Sequence, residues 1–280
     1  MKTSIYIATQ AERDFPKNKD YIPLMVGKPD ENLSEGLNDS IGDSIGIKNP
    51  FYCELTGHYW IWKNDHQSDI VGLCHYRRFL WLKDVPRRIC KKIFKSIKDC
   101  EAILDTQSIA KILKNGDYDI ILPRPYAFSG GDIKSQFIDA HGEDNYFLMI
   151  DAIKRNYPEY VKSVDEVFGR RFEYFANLMI ATKPVFDVYS EWLFKILQDV
   201  EQHIDLSDKK NLRMLGYIGE RLLNLYVIHN QLKIKEVPQI FIGENNSEQD
   251  LYIDLRYIKR RYFAGVLTFE ENIRKKLSSK

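Results

Sequence analysis

The chain has 280 residues, of which 44% are hydrophobic and 29% charged. That composition excludes a peptide-sized module, a fibrous repeat and a disordered chain, and it leaves enough apolar material for one large core. The 41 Lys and Arg nearly cancel the 40 Asp and Glu, so no overall field draws the protein to nucleic acid, and any anion binding must be local.

In chain order, a first β-type run falls at 5–8. The polar, Gly-punctuated stretch 30–46 is long enough to serve as a lid. Asn49 then reads as a helix N-cap with Pro50 at the first helical position, and Phe51, Leu55, Tyr59 and Trp62 recur at helical spacing. A near-continuous apolar strand follows at 70–73. Residues 83–98 carry Lys83, Arg87, Arg88, Lys91, Lys92, Lys95 and Lys98, with Ile89, Ile93 and Ile97 at helical spacing. The pattern suits either a basic amphipathic helix resting on anionic lipid or a solvated helix packed on the domain. Further strands are expected at 120–122, 178–181 and 234–237. After Pro184 a long helix carries the stripe Val185, Val188, Trp192, Ile196 and Val200, widened by Tyr189, Leu193 and Leu197. In a last helix Leu215, Ile218, Leu222 and Leu225 mark the core face, while Arg213, Tyr217, Glu220 and Asn224 recur on the other side.

Apolar strands alternating with helices argue for an α/β protein with a mostly parallel central sheet flanked by helices. With no repeat or linker, the expected organisation is one domain over 1–250, including a basic helical insertion at about 83–100, and a basic C-terminal segment over 251–280. Cys53, Cys74, Cys90 and Cys100 form no CxxC pair and read as free thiols in a reducing cytoplasm. The N-terminal apolar run is too short for a signal peptide, and no apolar window approaches the roughly 20 residues that span a bilayer. The expected location is cytoplasmic, with contact at a membrane surface left open.

Signatures of phosphate-loop NTPases, dinucleotide enzymes, serine hydrolases and zinc proteases are missing. Attention falls on His75-Tyr76-Arg77-Arg78, which directly follows the strand at 70–73. Ligands of open α/β sheets bind beyond the carboxyl ends of strands, and arginines there can neutralise a diphosphate without a metal. Gly216 and Gly219 inside a helix suggest close approach by another backbone or a ligand, which makes Glu220 a candidate general base. His141, Glu143 and Asp144, grouped around Gly142, could hold acceptor hydroxyls or begin a helix. Asn177 is an amide beside a buried strand, where it needs a partner or a ligand. Asp117 and Asp119 have the spacing of a metal-binding DxD but precede their strand.

Several longer stretches resemble one family. They are Asn49-Pro-Phe-Tyr-Cys-Glu-Leu-Thr-Gly-His-Tyr-Trp-Ile-Trp-Lys-Asn64, Gly72-Leu-Cys-His-Tyr-Arg-Arg-Phe79, Tyr118-Asp-Ile-Ile-Leu-Pro123, Gly216-Tyr-Ile-Gly-Glu-Arg-Leu222 and Tyr21-Ile-Pro-Leu-Met-Val-Gly27. Together they are similar to a bacterial capsular polysaccharide and O-antigen biosynthesis family, long catalogued as a domain of unknown function, over roughly residues 3–240. The resemblance implies a single GT-A-like domain and a glycosyltransferase, with some members linked to galactofuranose transfer from a UDP donor. With these readings the expected site residues are Thr9, Val26, Gly27 and Asn49 for the nucleotide, His75, Tyr76, Arg77 and Arg78 for the diphosphate, and Glu220 for catalysis. Acceptor or sugar contacts are expected from His141, Asp144, Asn177, Tyr217 and Arg221. GT-A enzymes usually end the strand like 70–73 in a DxD that holds a divalent metal; here cations stand in that place, so no metal and no other cofactor is expected. The chain departs from the family in Asn177-Leu178-Met179, in Gly57-His58 and in the basic stretch 83–98.

The expected partners are therefore a UDP-sugar and a polyprenyl-diphosphate-linked glycan at the inner membrane face, and not nucleic acid. A non-catalytic sugar-nucleotide or glycan-binding module is the alternative from another class. An RNA-binding protein fits poorly, because no RNP-like or KH-like motif appears.

Overall fold

The computed structural model describes residues 1–243, less Arg88, Asn115, Gly116 and Ser129, together with the backbone of Leu251–Ile253. The elements are β1 (Thr3–Thr9), β2 (Tyr21–Met25), β3 (Leu37–Asn38), α1 (Asn49–Tyr52), α2 (Leu55–Asn64), β4 (Ile70–His75), β5 (Arg78–Leu80) and β6 (Ile89–Phe94). Then follow α3 (Gln107–Lys114), β7 (Ile120–Pro123), β8 (Tyr126–Ala127), α4 (Ile133–His141), α5 (Glu143–Asn156), α6 (Val161–Phe168), β9 (Phe172–Glu173) and β10 (Met179–Thr182). The chain continues through α7 (Lys183–His203), α8 (Met214–His229), β11 (Ile234–Val237), β12 (Gln239–Ile242) and β13 (Leu251–Ile253).

The central sheet runs β3-β2-β1-β4-β10-β7-β11, with every neighbouring pair parallel except the two made by β10. Its central strands β1, β4, β10 and β7 are largely apolar on both faces because both faces are covered, whereas β3 and β11 at its ends are partly exposed. In β1, Tyr6 and Ala8 enter one core while Ile5 and Ile7 enter the other; in β4, Val71 and Leu73 oppose Ile70 and Cys74 in the same way. The first core is roofed by α2, α4, α5, α6, α7 and α8, the second largely by α3 and the strands β5 and β12. Gly72 on β4 has no room for a side chain, since a Cβ would stand 2.8 Å from Ile180 Cγ1 and 3.2 Å from the Met179 carbonyl.

The five expected strands form, and α7 begins at Lys183 with Pro184 in its first turn. Its core face keeps most of the expected stripe, with Tyr189, Trp192, Leu193, Ile196, Leu197 and Val200 buried, but Val188 is 60% exposed and Phe186 and Phe194 join the packing. The helix expected from Asn49 is broken. Asn49 is the first helical residue rather than the cap, and the chain turns at Cys53 (φ 53°) before α2 begins. The Asn49 amide donates to the Cys53 carbonyl at 2.7 Å and to Thr56 Oγ1 at 3.1 Å, which ties the break together.

Two further expectations are corrected. The basic stretch 83–98 is not a helix: β6 occupies its middle and pairs with β12 and β13, so Ile89, Ile93 and Ile97 make no helical stripe, and Ile97 is buried. β-pairing offered by β12 overrides the local periodicity. The stretch 30–46 does not stand off as a lid either. Asn38 and Asp39 are buried, the Asn38 amide donates to the Lys28 and Glu31 carbonyls, and Trp60 Nε1 donates to the Ile41 carbonyl. His58 packs face to face on Phe186 at 4.3 Å and meets Ser190 Oγ at 2.8 Å; burial pushes its pKa down to about 3, so it is a neutral core residue. All four cysteines are free thiols, and among the described residues no helix is long and apolar enough to cross a membrane.

Candidate active site

Because β1, β2 and β4 are parallel and adjacent, they deliver Thr9, Val26 and His75 to one edge of the sheet, the edge at which open α/β sheets bind ligands. A cavity of about 480 Å³ opens there, walled by Thr9, Gln10, Val26, Asn49 and Tyr76 on its outer side. A second cavity of about 710 Å³ lies beside it, walled by Tyr126, Phe175, Tyr217 and Glu220. The two share Cys53, Glu54, His75, Arg78 and Arg213, so these five residues form the junction between them.

Close packing of α8 against the break between α1 and α2 builds that junction. A Cβ on Gly216 would come within 3.1 Å of Cys53 Sγ, and one on Gly219 within 2.6 Å of Leu55 Cδ1. The two glycines therefore make room chiefly for the side chains of Cys53 and Leu55, with the Tyr52 carbonyl 3.4 Å from a Cβ on Gly216, and Gly216 also lines the second cavity. Local strain accompanies this packing. Cys53 (φ 53°), Ala176 (φ 70°), Asn177 (φ 49°) and Arg213 (φ 65°) hold left-handed conformations that side chains disfavour, and three of the four line the second cavity. Tertiary bonds hold them there: the Arg213 N–H donates to the Pro50 carbonyl at 2.9 Å, and the Ala176 N–H to Glu220 Oε1 at 3.0 Å.

The electrostatics divide between the junction and a buried triad. At the junction Arg78 and Arg213 supply two guanidinium groups, and Arg213 Nε donates to Cys53 Sγ at 3.4 Å. Burial lowers the pKa of His75, opposed by Glu54 and assisted by the positive charges of Arg78 and Arg213. Its Nε2 lies 3.9 Å from Glu54 Oε1, too far for a hydrogen bond, and has no other partner among the described residues. A buried polar atom left unpaired in a cavity is suited to receive a ligand. Glu54 accepts from Asn177 Nδ2 at 2.7 Å. Behind the second cavity, Arg221 (1% exposed) bonds Glu220 Oε2 at 2.8 Å and stands 3.5 Å from Glu173, which is 0% exposed. One cation serves two carboxylates there. Burial pushes Glu220 up to about 8, with Arg221 opposing and Glu54 and Glu173 adding to the shift; Glu173 is raised to about 7 for the same first reason.

The residues singled out from the sequence fall into separate places. Thr9, Val26 and Asn49 line the first cavity, whereas Gly27, not part of its wall, bonds Asp39 Oδ1 through its N–H and leaves space for the Asn49 side chain. His75 to Arg78 do not converge: His75 and Arg78 face the junction and Tyr76 walls the first cavity, but Arg77 turns away into a third cavity. The turn between β4 and β5 separates the two arginines, because His75 pairs with Arg78 and leaves Tyr76 and Arg77 at its tip. Glu220 and Tyr217 line the second cavity. Glu220 and Asn224 are buried rather than on an outer helix face, and Asn224 is spent on the backbone of Tyr174. His141 stacks on Tyr217 at 4.3 Å, its pKa pushed down to about 4 by burial and then by Arg221. Asp144 is exposed in the first turn of α5, and Asn177 and Arg221 reach the cavities only through Glu54 and Glu220. Asp119 accepts from the Lys233 N–H at the opposite end of β7 from the cavities. Sequence reasoning missed Glu54 and Arg213 as junction residues. Glu54 stood inside the long motif opening at Asn49, and Arg213 immediately preceded the glycine-bearing helix.

The chain belongs to the family described as "domain of unknown function (DUF4422)", which matches residues 4–231. Among solved structures it is similar to the apo structure of the bifunctional glycosyltransferase WbbM, with 29% identity and a TM-score of 0.76 over 89% of this chain and 48% of that one. The chain thus spans about half the length of that protein. No curated protein matches it.

Proposed function

We propose that the protein is a glycosyltransferase that moves a sugar from a nucleotide-diphosphate donor to a glycan acceptor. The observation that carries this reading is the pair of cavities meeting at Glu54, His75, Arg78 and Arg213; the similarity to WbbM and the carboxyl-edge placement support it. The nucleoside lies in the first cavity against Thr9, Val26 and Asn49, and the diphosphate lies against Arg78 and Arg213. As the glycosidic bond to the diphosphate breaks, those guanidinium groups stabilise the charge developing on the leaving oxygen. The acceptor enters the second cavity, where its hydroxyl loses a proton to ionised Glu220 and its sugar ring finds the faces of Tyr126, Phe175 and Tyr217.

A divalent metal does not fit this site. Glu54 and Glu220 are the carboxylates on the cavity walls, and they are engaged by Asn177 and by Arg221 with the Ala176 N–H, while cations stand at the end of β4. Activity should persist in EDTA, and Arg78→Ala should cost about 3 kcal/mol of transition-state stabilisation, whereas Arg77→Ala should leave donor turnover within a few fold. Strict dependence on Mn²⁺, or a larger loss at Arg77 than at Arg78, refutes the assignment. A UDP-hexose donor, galactofuranose transfer, and a polyprenyl-diphosphate-linked capsular, exopolysaccharide or O-antigen acceptor at the inner membrane face of the cytoplasm extend this reading. They rest on the motif resemblance. Peripheral membrane contact would then depend on exposed charges such as Lys83, Arg87 and Lys98 rather than on an amphipathic helix.

A further inference from the structure

Arg77 opens a third cavity, of about 680 Å³, on the far side of Tyr76 from the first. Tyr76 is the one wall residue the two have in common, and none is shared with the second cavity. Arg13, Arg77 and Lys95 converge on it, against a single carboxylate, Asp14. Two of these cations are held in place by neutral groups. The Arg13 guanidinium lies 4.1 Å from the centre of the Tyr76 ring, and Arg77 donates through Nε to the Ile242 carbonyl at 2.7 Å while lying 4.9 Å from the centre of Phe241. Neither contact uses up charge, and each leaves guanidinium N–H groups for a ligand. Among the described residues no carboxylate forms an ion pair with Arg13, Arg77 or Lys95. Asp99, close by in sequence, accepts from the N–H and hydroxyl of Ser96 instead.

We infer that this third cavity is a second anion site, which takes a diphosphate or phosphate-ester group separately from the donor. Three cations around one opening suit a group with several charged oxygens better than a single carboxylate, because each guanidinium can engage two oxygens. The inference is independent of the donor assignment, since it uses no residue of the junction.

Calorimetric titration with inorganic pyrophosphate at low ionic strength tests it. The background is Arg78→Gln with Arg213→Gln, which removes the junction cations. Pyrophosphate binding should survive in that background and weaken at least tenfold when Arg13→Gln and Lys95→Gln are added. Lys209→Gln with Lys210→Gln, an equal loss of charge on an exposed turn, should change it less than twofold. Arg77→Gln is the second variant, read beside its melting temperature because Arg77 also holds the Ile242 carbonyl. Repeating the titration with farnesyl diphosphate separates the sources: tighter binding than pyrophosphate points to a lipid-linked diphosphate, and equal binding to a soluble phosphate compound. No pyrophosphate binding in the background, or binding unchanged by Arg13→Gln with Lys95→Gln, overturns the proposal.

Discussion

In β1, β4, β7 and β10 no residue has a positive φ, and side chains alternate between two apolar cores, to which these strands contribute chiefly Ile, Leu, Val and Ala with Tyr6, Cys74 and Met179. Around the junction the opposite holds. Four residues with side chains take left-handed conformations, a histidine nitrogen has no partner among the described residues, and two buried carboxylates share one arginine. The sheet region minimises its own energy; the junction is kept in a costly state by the packing around it. Strain and unpaired polar atoms of this kind persist only where surrounding structure over-determines them, and they gather at sites that act on ligands.

The contrast can be broken from either side. The largest effect is expected in the sheet. Gly72→Val forces a side chain into Ile180 and the Met179 carbonyl, so urea denaturation should show a loss of about 3 kcal/mol or more, if the variant folds at all. Glu220→Gln keeps the shape of the side chain while removing its proton affinity. Turnover should fall about 100-fold with donor affinity retained, and turnover that survives would make Glu220 a structural member of the Arg221 cluster, as a non-catalytic binding module requires.

The same carboxyl sets a pH dependence. Its folded pKa of about 8 stands above the roughly 4.3 of an unfolded glutamate, so the folded state holds an extra proton between those values. The stability this contributes is full below about pH 4.3 and is lost as pH rises through about 8. Glu173, raised to about 7, acts in the same direction. Melting temperature should therefore decline from pH 6 to pH 9, and the decline should flatten in Glu220→Gln; equal slopes in the two proteins would show that other groups control it. If Glu220 is the base, turnover should rise over the same interval as it ionises. The smallest effect is expected at Ala176. Ala176→Gly relieves its φ of 70° and should raise stability by about 1 kcal/mol, while loosening the N–H that holds Glu220 and so lowering turnover.

Local patterning foretold the parts of the protein whose energetics are local or two-sided. The apolar runs at 5–8, 70–73, 120–122 and 178–181 are strands because both faces are buried, and that requirement leaves a direct trace in residue type; the strand at 234–237, Ile-Lys-Glu-Val, lies at the end of the sheet and is only half-buried. The apolar strand ending at His75 and the glycine-bearing helix around Gly216 pointed to His75, Arg78 and Glu220, which line the two cavities. What the sequence did not disclose depended on partners distant in the chain. Ile89 to Phe94 became a strand because β12 offered an edge. Arg77 and Arg78, adjacent and chemically identical, entered different cavities because the β4–β5 register placed a turn before one and a strand under the other. Glu54 and Arg213 met 159 positions apart because two glycines let α8 close on the break at Cys53. Periodicity reports which face of an element is buried; which side chains then share a cavity is decided by how the elements pack, and here that packing assembled the site.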